Sequence, residues 1–191
     1  MAAALLGCTS ARTPRIVTEA STSVAEWMPL ATIAGPVRRG PLEANALVRR
    51  TVDGDTLDVV LLRPDGTSSS ADERIRLIGI DTPETKRPET PIECFGKKAS
   101  AATAALLPGN TPVRLERDVE ERDRYGRLLA YVFRASDGLF VNHELVRTGF
   151  AASYPYPPNV TYADMFRDAA ANAEAAGVGL WGACGDPHVP A

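Results

Sequence analysis

From Ala46 onward the chain is divided by turn signals into short β-rich runs, and this spacing limits its fold more than any other feature. Ala46–Val52 and Thr56–Leu62 flank Asp53-Gly54, a favoured hairpin turn pair. Pro64-Asp65-Gly66 and a polar loop through Asp72 lead into a third run, Glu73–Gly79. There Ile75 and Leu77 alternate with Arg74 and Arg76, so one face is apolar and the other carries guanidinium groups. Two more strands read at Pro112–Glu116 and Leu128–Phe133. Helices read at Lys97–Leu107, stopped by Pro108-Gly109, and at Asn142–Thr148, ending at Gly149. Thr161-Tyr162-Ala163-Asp164 reads as a capping box opening a last helix that runs to Ala176 and stops at Gly177. The order βββαββαα predicts an α+β domain in which about three helices surround a five-stranded barrel.

The 191 residues, 45% apolar and 24% charged, suit one domain with a core and a tail. No run approaches the roughly 18 apolar residues that a membrane-spanning helix needs. With 21 Lys+Arg against 24 Asp+Glu, the net charge of -3 argues against holding nucleic acid by blanket neutralisation and leaves room for a local cationic site. Cys8, Cys94 and Cys184 are too far apart for a zinc site, and His143 and His188 do not complete one. Cys94 and Cys184 admit two readings, a bridge worth about 4–5 kcal/mol in the chain-entropy model or two separate buried thiols. Residues 1–45 read as leader and linker, 46–184 as the folded domain and 185–191 as a tail. Leu5-Leu6-Gly7-Cys8 resembles the cleavage box of a bacterial lipoprotein signal, which would make Cys8 a lipid anchor. Only four residues, none basic, precede Leu5, so either the true start lies upstream or the box is coincidence.

Three segments concentrate acids and arginines: Asp53-Gly54-Asp55-Thr56, Arg76 through Glu84, and Asp123-Arg124-Tyr125-Gly126-Arg127. Singly each has an ordinary reading, as a hairpin turn, a turn after a strand, or surface ion pairs worth about 0–1 kcal/mol. Together they supply what hydrolysis of a phosphodiester requires. Asp55 and Asp81 offer the hard oxygen ligands that calcium prefers. Glu84 follows closely enough to orient an attacking water, and Arg76 and Arg127 can fork onto phosphate oxygens. Tyrosines beside such a clamp give a stacking platform that accepts any base.

Val52–Leu57, Ile75–Thr85 and Asp123–Tyr131 resemble, in order and spacing, the three signature blocks of the staphylococcal nuclease (thermonuclease) family. The resemblance continues through Val141–Gly149 and Tyr154-Pro155-Tyr156-Pro157-Pro158-Asn159 to Gly179-Leu180-Trp181, covering about Ala46 to Cys184. It implies an OB-fold barrel and a calcium-dependent nuclease acting on DNA and RNA, preferably single-stranded or frayed, that leaves 3′-phosphate and 5′-hydroxyl ends. Residue by residue, it implies calcium at Asp55, Asp81 and the Thr82 carbonyl, with Arg76, Glu84 and Arg127 catalytic. Arg124 matches a terminal-phosphate contact, and Tyr125, Tyr154 and Tyr156 match tyrosines of the nucleotide pocket. For Tyr154 and Tyr156, packing at the start of the last helix is the plainer alternative. Cys94 and Cys184 look similar to a cysteine pair of extracellular bacterial relatives, which implies a location outside the cytoplasm, secreted or in the cell envelope; the chain is expected to be a monomer. The rival function is a domain of the same type that binds nucleic acid or protein without cutting. A third reading, a structural module hung from Cys8, leaves the acid and arginine set unexplained.

Overall fold

The computed structural model describes residues 35–85 and 91–185; the leader through residue 34, with Cys8, and the tail from residue 186 lie outside them. The principal strands are β1 (Ala46–Asp53), β2 (Thr56–Leu62), β3 (Ser68–Leu77), β5 (Pro112–Glu116) and β6 (Leu128–Arg134). Two-residue strands β4 (Ile80–Asp81), β7 (Leu139–Phe140) and β8 (Ala152–Ser153) complete the set. The helices are α1 (Gly96–Leu106), α2 (Val141–Arg147), α3 (Ala163–Ala175) and α4 (Leu180–Cys184). The main sheet runs β3-β2-β1-β5-β6-β7, and a parallel pairing of β3 with β6 closes its first five strands into the barrel expected for an OB fold.

Period-two alternation sorts side chains across the barrel wall. Ile75 and Leu77 are wholly buried and join Val48, Leu57, Val59, Val113 and Phe133 in the core. Arg74 and Arg76, on the opposite face of β3, stand outside it. Phe166 of α3 closes one end of the core. It comes so near Gly79 that a Cβ there would lie 2.4 Å from its ring, and Gly79 has a left-handed φ of +79°, so two independent constraints select glycine.

Three expectations need correcting. The loop from Pro64 to Asp72 is shorter than expected, because β3 already begins at Ser68, opposite Leu62. Its first residues are mostly exposed, so no alternation marks them. The capping box at Thr161–Asp164 is not formed: the N-cap of α3 is Tyr162, with no side-chain cap, and the Thr161 N–H donates instead to Asp118 Oδ2 at 3.0 Å. A fourth helix, α4, and three two-residue strands supplement the five strands and three helices of the sequence reading.

Within the stretch expected to be linker, residues 37–42 lie against the barrel. Arg38 bridges Leu139, the Leu42 N–H donates to Ala135 O, and the Phe140 N–H donates to Val37 O. The Arg39 guanidinium covers the Phe133 ring at 4.1 Å and bonds Glu116 and the Tyr162 hydroxyl. At the other end of the described chain, a disulfide joins Cys94, just before α1, to Cys184, the last residue of α4.

Candidate active site

Two turns meet at the floor of the site. The β1–β2 turn presents Asp53 and Asp55, and the segment after β4 presents Thr82. Gly54 permits the approach, since a Cβ there would stand 2.6 Å from Thr82 Oγ1. The turn is held from behind by Thr103 of α1, whose hydroxyl donates to Gly54 O at 2.6 Å. Asp81 is fixed by pairing of β4 with β8, and the next residue along, Tyr154, donates its N–H to Gly79 O. Beneath them the wholly buried Asn142 ties α2 to both sides: its amide donates to Ile78 O, and its oxygen accepts from the Val132 N–H. Burial makes these bonds costly to lose, because either partner left alone would be desolvated without compensation.

Asp55 Oδ2 accepts from the Thr82 N–H and the Thr82 hydroxyl, each at 3.2 Å, and forms an ion pair with Arg76 Nη2 at 3.2 Å, while Oδ1 accepts from Thr56 Oγ1 at 2.9 Å. Arg76 spans the acids: Nη2 also donates to Asp81 Oδ1 at 2.8 Å, and Nη1 donates to the carbonyls of Leu77 and Ile80. Glu84 is positioned through its backbone, its N–H donating to Glu93 Oε2 at 2.8 Å and its carbonyl accepting from the Glu93 N–H at 3.0 Å. Asp53 accepts from the Gly54 N–H and the Thr85 hydroxyl. Its carboxyl is pushed up to about 6, first by burial and next by a hydrogen bond with Glu84, with bonds from Thr85 and Gly54 opposing.

The opposite side is built by the connection from β5 to β6. Asp123 organises it: Oδ1 accepts the N–H groups of Tyr125 and Arg127, and Oδ2 accepts Arg127 Nε at 2.7 Å. The Arg127 guanidinium is thereby held by one edge of its fork. Arg124 donates to the Tyr125 hydroxyl, and the Arg124 and Arg127 guanidinium groups lie 4.8 and 5.5 Å from the Tyr125 ring.

All ten expected site residues, Asp55, Arg76, Asp81, Thr82, Glu84, Arg124, Tyr125, Arg127, Tyr154 and Tyr156, line one cavity of about 720 Å³. Tyr156 also packs against the core, so its two readings are not exclusive. Asp53, Arg74, Glu93 and Asp123 line the same cavity and had no assigned role. Asp53 and Asp123 stood inside the quoted segments, and turn chemistry could have found Asp123, since an Asp two residues before the residue it caps forms an Asx turn. Glu93 had no signal, because its bond to Glu84 joins residues nine apart through tertiary folding.

The donor set suits a hard divalent cation: two carboxylates, Asp55 and Asp81, with the Thr82 carbonyl, in a cavity that Asp53 and Glu84 also line. Among the described residues no group of three or more His, Cys, Asp or Glu is placed to hold a metal ion on its own. The sum of these features is a carboxylate floor, two arginines approaching from β3 and from the β5–β6 connection, and an aromatic rim, which can hold a phosphodiester and a water together.

Comparison with known proteins agrees with this chemistry. Residues 74–183 match the family model described as staphylococcal nuclease homologue. The chain is 41% identical over 150 residues to the thermonuclease of Staphylococcus intermedius, covering 77% of this chain and 83% of that one. It is 37% identical over 154 residues to the thermonuclease of Staphylococcus hyicus, covering 78% and 85%. It is 34% identical over 143 residues to the endonuclease YncB of Bacillus subtilis, covering 74% and 63%.

Proposed function

The chain belongs to the staphylococcal nuclease family, and from that premise we propose that it is a calcium-dependent endonuclease that hydrolyses DNA and RNA with little sequence preference. The observation that carries this reading is the meeting of Asp55, Asp81, Glu84, Arg76 and Arg127 in one cavity, with every acid and arginine of the expected set present. Calcium at Asp55, Asp81 and the Thr82 carbonyl would supply a compact positive charge to the phosphate.

The chain's own residues do the rest. Glu84, its backbone clasped by Glu93, orients a water and accepts its proton as the water oxygen bonds to phosphorus. Arg127, steered by Asp123, presents its remaining donors to phosphate oxygens and takes up charge that grows in the transition state. Arg76 exchanges its bonds to Asp55 and Asp81 for phosphate oxygens once those carboxylates are otherwise neutralised. The bond from phosphorus to the 5′ oxygen breaks, that oxygen gains a proton, and the products carry a 3′-phosphate and a 5′-hydroxyl. Tyr125 and Tyr154, at the exposed rim, stack on bases of either sugar type, which favours single-stranded or frayed substrates.

The disulfide supports a location in an oxidising compartment, secreted or in the cell envelope. A nuclease assay on single-stranded DNA with calcium, with excess chelator and after calcium is restored tests the reading. Cleavage should appear, vanish and return, with 3′-phosphate ends on the products. Full activity in chelator would remove the calcium assignment, and tight binding without cleavage in calcium would favour the non-catalytic module.

A further inference from the structure

Arg74 lines the same cavity as Arg76 and Arg127, yet its contacts leave it outside the catalytic arrangement. Its Nε donates to Asp58 Oδ1 at 2.8 Å and its Nη2 to Asp58 Oδ2 at 3.2 Å, a two-point seat on the neighbouring strand. Asp58 also receives Arg50 Nη2 at 2.7 Å from the next strand over. The carboxylate is nearly enclosed, with 10% of its side-chain surface exposed, whereas Arg74 and Arg50 keep 48% and 64%. The hydrogen bond from Arg74, and then the charges of both arginines, hold Asp58 below the usual carboxylate range against the opposing effect of burial. Three groups in a row across β1, β2 and β3 thus carry two positive charges for one negative. The surplus charge lies beside a cavity that must admit a polyanion, in a chain whose net charge is -3.

Strand register gives the row its direction. Arg74 and Arg76 share one face of β3, two residues apart, which places their Cα atoms about 7 Å from each other. In the parallel pairing of β3 with β6, Ile75 lies opposite Leu128, so Arg74 and Arg127 are the residues that precede that pair on the two segments. Arg74 Nη1 has no hydrogen-bond partner among the described residues. A guanidinium fixed by one edge and open on the other is the arrangement that Asp123 also gives Arg127. An ion pair serving stability alone would need one arginine on Asp58, and nothing in that role would direct the second toward the cavity.

We propose that Arg74, seated on Asp58 and backed by Arg50, is a second phosphate subsite, binding the backbone phosphate adjacent to the one held by Arg76 and Arg127. This rests on the nuclease reading above and specifies that the enzyme grips a strand rather than a single phosphodiester. The subsite adds ground-state affinity for oligonucleotides and takes no part in the chemical step.

The test compares wild type, Arg74→Ala and Arg74→Lys on two substrates in calcium: a deoxydinucleotide with one phosphodiester and a single-stranded oligodeoxynucleotide of a dozen residues. For Arg74→Ala, the ratio of kcat/KM for the oligonucleotide to that for the dinucleotide should fall about fivefold, through KM. The slope of log KM against log salt for the oligonucleotide should shrink by about 0.7, the value for one lost contact to a single strand. Arg74→Lys should keep most of the salt slope, because a point charge still meets the phosphate. Equal losses on both substrates, an unaltered salt slope or loss of dinucleotide cleavage through unfolding would each assign Arg74 to structure and overturn the proposal. Absence of cleavage of both substrates by the wild type would instead overturn the nuclease reading.

Discussion

On the floor of the cavity Asp55 and Arg76 keep only 11% and 15% of their side-chain surface exposed, and their polar atoms are bound to several named partners. At the rim, Tyr125 and Tyr154 are 67% and 51% exposed. The floor is held by strands, buried amides and the two turns that Gly54 brings together, so its charges sit in a low-dielectric frame and are fixed before substrate arrives. The rim hangs from loop backbone and meets water. On the function proposed above, the contrast separates two tasks: the floor would serve a transition state that is the same for every nucleotide, and the rim would tolerate bases that differ.

The difference can be tested from its strongest consequence downward. Arg127→Lys, at the seam, should reduce turnover on single-stranded DNA by at least ~10²-fold with little change in the unfolding midpoint, because lysine keeps the charge and loses the fork. A well-folded variant with wild-type turnover would remove Arg127 from the floor's task. Reducing the Cys94–Cys184 bridge, or replacing both cysteines by serine, should lower stability by up to about 4–5 kcal/mol in the chain-entropy model. Turnover of the molecules that remain folded should fall far less, as read by urea midpoints beside activity. Tyr154→Ala should raise KM about tenfold, within the ~1–3 kcal/mol of one stacked base, and change kcat little. A kcat effect exceeding the KM effect would put Tyr154 on the catalytic side of the contrast.

The last test concerns pH. Asp53 titrates near 6 in the fold, raised first by burial, and near ~3.9 when unfolded. A carboxyl raised on folding favours the folded state below the unfolded value, and that contribution is lost as pH rises through the folded one. In calcium-free protein, the stability difference between wild type and Asp53→Asn should therefore shift against wild type between about pH 4 and 6, whatever the other groups, such as the depressed His143, contribute to both proteins. Urea midpoints across this range for both proteins measure it.

The floor was legible in the sequence because its residues fall within short segments whose order and spacing are distinctive, and the barrel because Ile75 and Leu77 alternate with arginines. What escaped depends on partners distant in the chain. Ser68–Asp72 belongs to β3 only by pairing with β2, and β4, β7 and β8 are too short to show a period. The Asp58–Arg74 pair follows from the β2–β3 register, which no local pattern states. Residues 37–42 looked like linker because their order comes from backbone bonds to Ala135, Gly138 and Phe140 rather than from any alternation of their own.

The bridge between Cys94 and Cys184, 90 residues apart, encloses α1, β5, β6, α2 and α3 in a covalent ring. A protease that cuts once inside that ring, for example beside the exposed Val119, leaves one molecule rather than two fragments. The severed pieces stay in register and the chain keeps its mass until a reductant arrives. A first nick there need not end activity, and the signature would be a band that splits only on a reducing gel.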